Sequence, residues 1–117
     1  MDEYDESEYE IKIPTYFIAK TQKGVEVTGS GYNGDLYPNL IFLRGKTYRF
    51  LFKDLDSVFD LYDIDGNLLK SLNVSDPGES VSVKLGNNYP NQIKYKLKND
   101  PSQYGTILLR DQNKIIG

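Results

Sequence analysis

The sequence predicts a single all-β domain, an antiparallel sandwich or barrel of about seven to eight short strands. From residue 11 onward apolar residues alternate with polar ones at a period of two, the period of a half-buried strand. Clusters of Gly, Pro and Asn separate these runs, as turn residues do. No segment shows the 3.6-residue periodicity of a helix. A chain of 117 residues also has the usual size of one domain.

The first predicted strand is "IKIPTYFIA", residues 11–19, in which every second residue shares one face. Pro14 interrupts it. Because proline lacks the N–H that a central strand needs, we expect this strand at a sheet edge or with a bulge. A short strand over residues 25–27 follows, and then a glycine-rich loop that contains Gly29, Gly31 and Gly34.

The stretch "LIFLRGKTYRFLF", residues 40–52, predicts the clearest hairpin, with its turn at 44–46. Phe59 and Leu61 predict the next strand, and residues 65–67 form an Asp-Gly-Asn tight-turn signal. The runs "ESVSVKL", "QIKYKL" and "TILLR" complete the set. In "QIKYKL" the alternation places Ile93, Tyr95 and Leu97 on one face.

The composition excludes several kinds of chemistry. The chain contains no Cys and no His. It therefore has no thiolate metal site, no His-activated nucleophile and no imidazole acid–base catalyst. We accordingly predict no enzymatic activity, no catalytic or metal-binding residues and no cofactor.

Charge is distributed unevenly along the chain. Residues 2–10, "DEYDESEYE", carry six acids and no base, while residues 11–117 hold 14 basic and 11 acidic residues. We interpret residues 1–10 as an acidic flexible arm and residues 11–117 as a single β-sandwich domain. The arm is either a solubilising tail or a segment that binds a basic surface on a neighbour. An acidic arm beside a weakly positive body predicts no nucleic-acid partner.

No apolar run is long enough to cross a bilayer, and no signal-peptide pattern is evident at the N-terminus. We therefore predict no membrane partner.

Two groups of carboxylates are candidates for a metal-binding or catalytic site. "DIDGN", residues 63–67, is more typical of a hairpin turn than of a calcium loop. Asp54, Asp56 and Asp60 could act as acid and base on a glycoside, but solvated turn acids are the simpler interpretation.

The chain contains ten tyrosines, a high number for 117 residues. One group sits at strand spacing and is expected in the core or on a sheet face: Tyr16, Tyr48, Tyr62 and Tyr95. A second group falls in or beside predicted loops, where tyrosine favours contact surfaces. Together with the two tyrosines of the arm, it supplies our predicted partner-contact residues: Tyr4, Tyr9, Tyr32, Tyr37, Tyr89 and Tyr104.

Two stretches resemble cupredoxin-like domains. "YPNLIFLRGKTYRFLF", residues 37–52, resembles their early strands, with "LRGKTYRF" as the specific part. It is similar above all to a variant found in structural proteins of tailed bacteriophages, marine cyanophages among them. "IKYKLKNDPSQYGTILL", residues 93–109, is similar to the strand pair that carries the copper loop. The resemblance implies an antiparallel Greek-key β-sandwich of the cupredoxin-like kind and location in a virion.

The family's copper ligands do not carry over to this chain. The resemblance places Leu97 at the cysteine position, Asp100 and Ser57 at the two histidine positions, and Gln103 at the axial methionine position. Asn99, Asp100, Pro101 and Ser102 stand between two alternating runs and cannot continue a strand, so they predict a short loop. Blue copper requires a thiolate and two imidazoles, so electron transfer through such a centre is excluded.

Two functions remain as hypotheses. The first is a non-enzymatic structural component of a phage particle, in the capsid decoration, neck, tail or baseplate. Its partners would be other virion proteins or copies of itself. The alternative is a β-sandwich module that binds glycans or a cell surface through loop tyrosines. The absence of Trp argues mildly against the alternative, because sugar sites favour broad aromatic platforms.

Overall fold

The computed structural model describes residues 13–111, which form two five-stranded β-sheets facing each other. Sheet A has the strand order β3-β2-β1-β5-β8 and sheet B the order β4-β10-β9-β6-β7. The strands are β1 Thr15–Thr21, β2 Gly24–Gly29, β3 Tyr32–Leu36, β4 Leu40–Leu43, β5 Thr47–Phe52, β6 Phe59–Tyr62, β7 Leu68–Ser71, β8 Ser80–Lys84, β9 Gln92–Leu97 and β10 Asp100–Arg110. A 3-10 turn at Leu55–Ser57 precedes β6. Within residues 13–111 no helix is long and apolar enough to cross a membrane.

The core lies between the sheets and is built from alternate residues of nearly every strand. In β9, Ile93, Tyr95 and Leu97 are buried, as the alternation predicted. Aromatic rings fill the centre: Phe59 of sheet B meets Phe50 of sheet A edge-on at 5.0 Å between ring centroids. Edge-to-face packing suits the aromatic quadrupole, so these rings bind the two sheets together.

The predicted all-β sandwich is confirmed, with two differences in detail. The described residues contain ten strands instead of seven or eight, and the sheets are mixed instead of wholly antiparallel. β1 pairs with β5, and β4 pairs with β10, in parallel. Both parallel pairs join strands that are distant along the chain, so no local turn signal could reveal them.

The predicted hairpin over residues 40–52 is wrong, because β4 and β5 belong to different sheets. Residues 44–46 carry the chain across the sandwich instead of returning it along the same sheet. The two alternating runs then face each other through the core, where Phe42 and Tyr48 stack with 3.9 Å between ring centroids. The Leu43 N–H also donates to the Tyr48 hydroxyl at 2.8 Å.

Two further expectations need correction in sheet A. Strand β1 is central, not an edge, because Pro14 lies just before the strand and uses only its carbonyl, which accepts from the Arg49 N–H at 2.9 Å. The glycine-rich stretch is not all loop, since it forms the β2–β3 hairpin. Gly29 and Gly31 flank Ser30 at its turn, with φ values of 95° and 96° that only glycine adopts freely.

The loop expected at residues 99–102 is shorter than predicted. β9 ends at Leu97 and β10 already begins at Asp100, so only Lys98 and Asn99 form the turn. The pairing register then shifts between Asp100 and Gly105, which accommodates the proline as an irregular start to β10.

Candidate functional site

The end of the sandwich where β9 meets β10 brings together three positions that the resemblance assigns to copper ligands. Leu97, the last residue of β9, lies opposite Asp100 at the start of β10. Ser57 is buried in the 3-10 turn before β6. The residue after it, Val58, accepts a hydrogen bond from the Lys98 N–H at 3.0 Å, so Ser57 and Leu97 occupy adjoining strand ends.

The fourth position, Gln103, lies farther along β10 at the same end. Gln103 and Tyr37 both approach Gly24 so closely that a Cβ at Gly24 would collide with the Tyr37 ring. Tyr37 itself has a φ of 44°, a left-handed conformation that is rare for a large side chain. Its ring stacks at 6.4 Å on the ring of Tyr95. Burial raises the pKa of the Tyr37 hydroxyl, so it remains protonated at neutral pH.

The donor atoms at this end do not fit a blue copper centre. Leu97 is 1% exposed and offers no donor atom. The Ser57 hydroxyl donates to the Asp54 carbonyl at 2.6 Å, and the Asp100 carboxylate accepts from the Ser102 hydroxyl at 2.8 Å. Among residues 13–111 no group of three or more Asp, Glu, Cys or His side chains could hold a metal ion. Leucine packing and local hydrogen bonds therefore close this end of the fold.

A shallow open pocket lies beside this end, lined by the β1–β2 turn and by Asp54 and Asp56. One carboxylate oxygen of Asp54 is buried and has no hydrogen-bond partner. Asp60, the third acid of the predicted cluster, is elsewhere, on β6. It accepts from the Lys98 ammonium at 2.6 Å and from the Ser71 hydroxyl at 2.9 Å. The structure thus brings together two of the three acids.

The "DIDGN" stretch is a turn, as predicted. The Asp63 carboxylate accepts hydrogen bonds from the backbone N–H groups of Asp65 and Asn67 at 2.9 and 2.8 Å. The backbone bond from Asn67, followed by the bond from its side chain, lowers the pKa of the Asp63 carboxyl. The Asp63 carboxylate therefore stabilises the turn of the β6–β7 hairpin.

Three of the four predicted contact tyrosines within the described residues pack partly against the core: Tyr32, Tyr37 and Tyr89. The Tyr32 hydroxyl donates to the Asn39 carbonyl at 2.6 Å. Tyr104 differs, since it is 50% exposed on β10. Tyr4 and Tyr9 lie outside the described residues. Of the four described tyrosines, Tyr104 offers the largest open aromatic surface for a partner.

The outer side of sheet B carries a feature that the sequence reading missed, which we call the lysine–tyrosine face: Tyr62, Lys94, Lys96 and Tyr104. The Lys94 ammonium lies 4.4 Å from the centroid of the Tyr104 ring, and the Lys96 ammonium lies 4.9 Å from that of Tyr62. These are cation–π contacts. The alternation in "QIKYKL" places both lysines opposite the buried side of β9, but the tyrosines come from other strands.

Comparison with known proteins identifies the fold through solved structures. No family model and no curated protein matches this sequence. A purple cupredoxin from Nitrosopumilus maritimus is 21% identical, with a TM-score of 0.52 over 81% of this chain and 97% of that chain. A reduced amicyanin variant is 12% identical, with a TM-score of 0.50 over 86% of this chain and 87% of the other. At these identities the likeness concerns architecture, and the chain therefore has a cupredoxin-like β-sandwich fold.

Proposed function

We propose that this chain is a non-enzymatic structural component of a phage particle, and that it acts by binding neighbouring proteins. The phage assignment depends on the resemblance of "LRGKTYRF", residues 43–50, to virion proteins. The observation that supports a protein-binding role is the lysine–tyrosine face. It is a partly exposed, basic and aromatic surface on a domain in which Leu97 is buried at the cysteine position that the resemblance implies.

The exposed side chains near this face suit a protein partner. Ile41 and Leu68, both in sheet B, are 58% and 57% exposed. Protein interfaces combine apolar and aromatic area with charged groups at the rim. A glycan partner is less favoured, because the ammonium of Lys94 already lies over the ring of Tyr104, where a sugar would stack.

Mass spectrometry of purified phage particles tests this proposal. We expect the chain in stoichiometric amounts, in particles that have been washed at high salt and treated with protease. Its absence from such particles, while it is abundant in the infected-cell lysate, would contradict the proposal. Binding to a glycan array that is abolished by Tyr104→Ser would instead favour the alternative function.

A further inference from the structure

The outer surface of sheet B has an ordered arrangement across its strands. Tyr62 of β6 lies opposite Lys94 of β9, and Lys94 lies opposite Thr106 of β10. On β7, Leu68 lies opposite Tyr62. The strand neighbours of Tyr62, Lys94 and Thr106 are buried in the core, and Leu69, next to Leu68, packs partly against it, so this row points outward.

The positive charges of the face have no carboxylate partner within residues 13–111. Lys94 and Lys96 make cation–π contacts, and neither forms a salt bridge. Asp60 lies opposite Lys96 in register, but its carboxylate is bonded to the Lys98 ammonium at 2.6 Å. The face therefore presents two ammonium groups that a carboxylate from outside the domain can approach.

Apolar side chains border the charged row on both sides. Leu68 is 57% exposed, Tyr104 is 50% exposed and Ile41 is 58% exposed. Leu108 lies opposite Ile41 and is half-buried. A matching ligand would have several carboxylates together with a few large apolar or aromatic groups.

Residues 2–10 of the same chain have this composition. The segment "DEYDESEYE" contains six carboxylates and two tyrosines. Fully extended, nine residues reach about 30 Å. Five strands spaced at about 4.8 Å span about 19 Å, so the segment is long enough to cross the sheet.

The point at which residues 2–10 join the domain favours binding to the lysine–tyrosine face of a second copy. Residues 2–10 precede β1, which is the central strand of sheet A. The lysine–tyrosine face of the same molecule lies behind the core, on the outer side of sheet B. The face of a neighbouring copy has no such obstacle, and a reciprocal exchange of two arms closes a two-fold symmetric dimer.

We propose that residues 2–10 of one copy bind the lysine–tyrosine face of a second copy, so that the protein assembles with itself by arm exchange. This inference rests on the proposed function, in which the chain acts through protein–protein contacts. Exposed charge pairs weaken as salt screens them, so the association is salt-dependent.

Sedimentation velocity tests the proposal with four proteins and one mixture. The full chain is expected to dimerise at low salt and to dissociate at high salt. A chain lacking residues 2–10 and the K94Q/K96Q variant are each expected to be monomeric. The matched control K23Q/K84Q removes the same charge from exposed lysines of the β1–β2 turn and of β8 in sheet A, and is expected to dimerise like the full chain.

The decisive measurement is complementation. The truncated chain has a face but no arm, and K94Q/K96Q has an arm but a weakened face. For the mixture, we expect a one-to-one complex of the two proteins, formed about tenfold more tightly than either protein self-associates. A monomeric full chain at low salt, a mixture that does not associate, or K94Q/K96Q dimerising like the control would each overturn the proposal.

A second measurement does not depend on how the K94Q/K96Q variant folds. A synthetic peptide of residues 2–10 is titrated into the truncated chain, beside a peptide with all six acids replaced by amides. Salt-sensitive binding of the first peptide alone supports the proposal, and equal binding of both overturns it. If the chain is found in particles but is monomeric in solution, arm exchange fails while the proposed function stands.

Discussion

Leu97 is the residue whose replacement best tests how the fold is closed at the end where β9 meets β10. It is 1% exposed, and it ends β9 opposite Phe59. Leu97→Ala removes three carbons, which corresponds to about 2.4 kcal/mol of lost transfer free energy at about 0.8 kcal/mol per buried carbon. The cavity that remains adds to this loss. We therefore expect the free energy of unfolding to fall by about 2.5–5 kcal/mol.

Urea denaturation followed by circular dichroism measures this change. The chain offers a matched control at the same end, because Leu55 in the 3-10 turn is 46% exposed. Leu55→Ala deletes the same atoms from a side chain that is about half exposed, and should cost about 1 kcal/mol, clearly less than Leu97→Ala. Equal effects of the two substitutions would refute the reasoning, since they would mean that Leu97 does not fill the core.

Three further predictions concern packing, a hydrogen-bond hub and pH. In Gly105→Ala the new Cβ overlaps the Tyr95 ring, so urea denaturation should show a loss of about 1–3 kcal/mol, whereas Gly86→Ala has open space and should be nearly neutral. Arg44→Met removes bonds to two backbone carbonyls at 2.8 and 2.7 Å and to a carboxylate at 2.9 Å, and should cost about 2–4 kcal/mol by the same measurement. Burial raises the pKa of Tyr16 from 10.0 to about 12, so its contribution to stability is complete below pH 10 and is lost as the pH rises through about 12. Across this pH range the free energy of unfolding should fall by about 3 kcal/mol less in Tyr16→Phe than in the unsubstituted protein. An identical fall in the two proteins would contradict this prediction.

The sequence was informative wherever strand geometry acts locally. A strand places successive side chains on opposite faces, so alternation alone predicted the buried side of β9 and the core positions Phe59 and Leu61. The Asp-Gly-Asn turn was also predictable, because a short polar side chain and a glycine suit that backbone. In each case the cause lies within a few residues of its effect.

What the sequence could not predict depends on contacts between distant segments. A glycine turn between two alternating runs is compatible with a hairpin or with a crossing between sheets, and here the stacking of Phe42 on Tyr48 across the core accompanies the crossing. The lysine–tyrosine face was missed for the same reason. The register that sets Tyr62 beside Lys94 belongs to the sheet and cannot be read from either strand alone.

The copper-ligand positions implied by the resemblance can be tested by introducing copper ligands there. Leu97 lies opposite Asp100, and Ser57 adjoins them through the bond between Val58 and Lys98. If these residues and Gln103 occupy the ligand positions, S57H/L97C/D100H/Q103M should bind Cu(II) and show the intense visible absorption of a copper–thiolate centre. The control keeps Leu97 with the other three substitutions, and should lack this band because it has no thiolate. A folded quadruple variant that takes up no copper would show that the end of this sandwich differs in geometry, and not only in side chains, from a copper site.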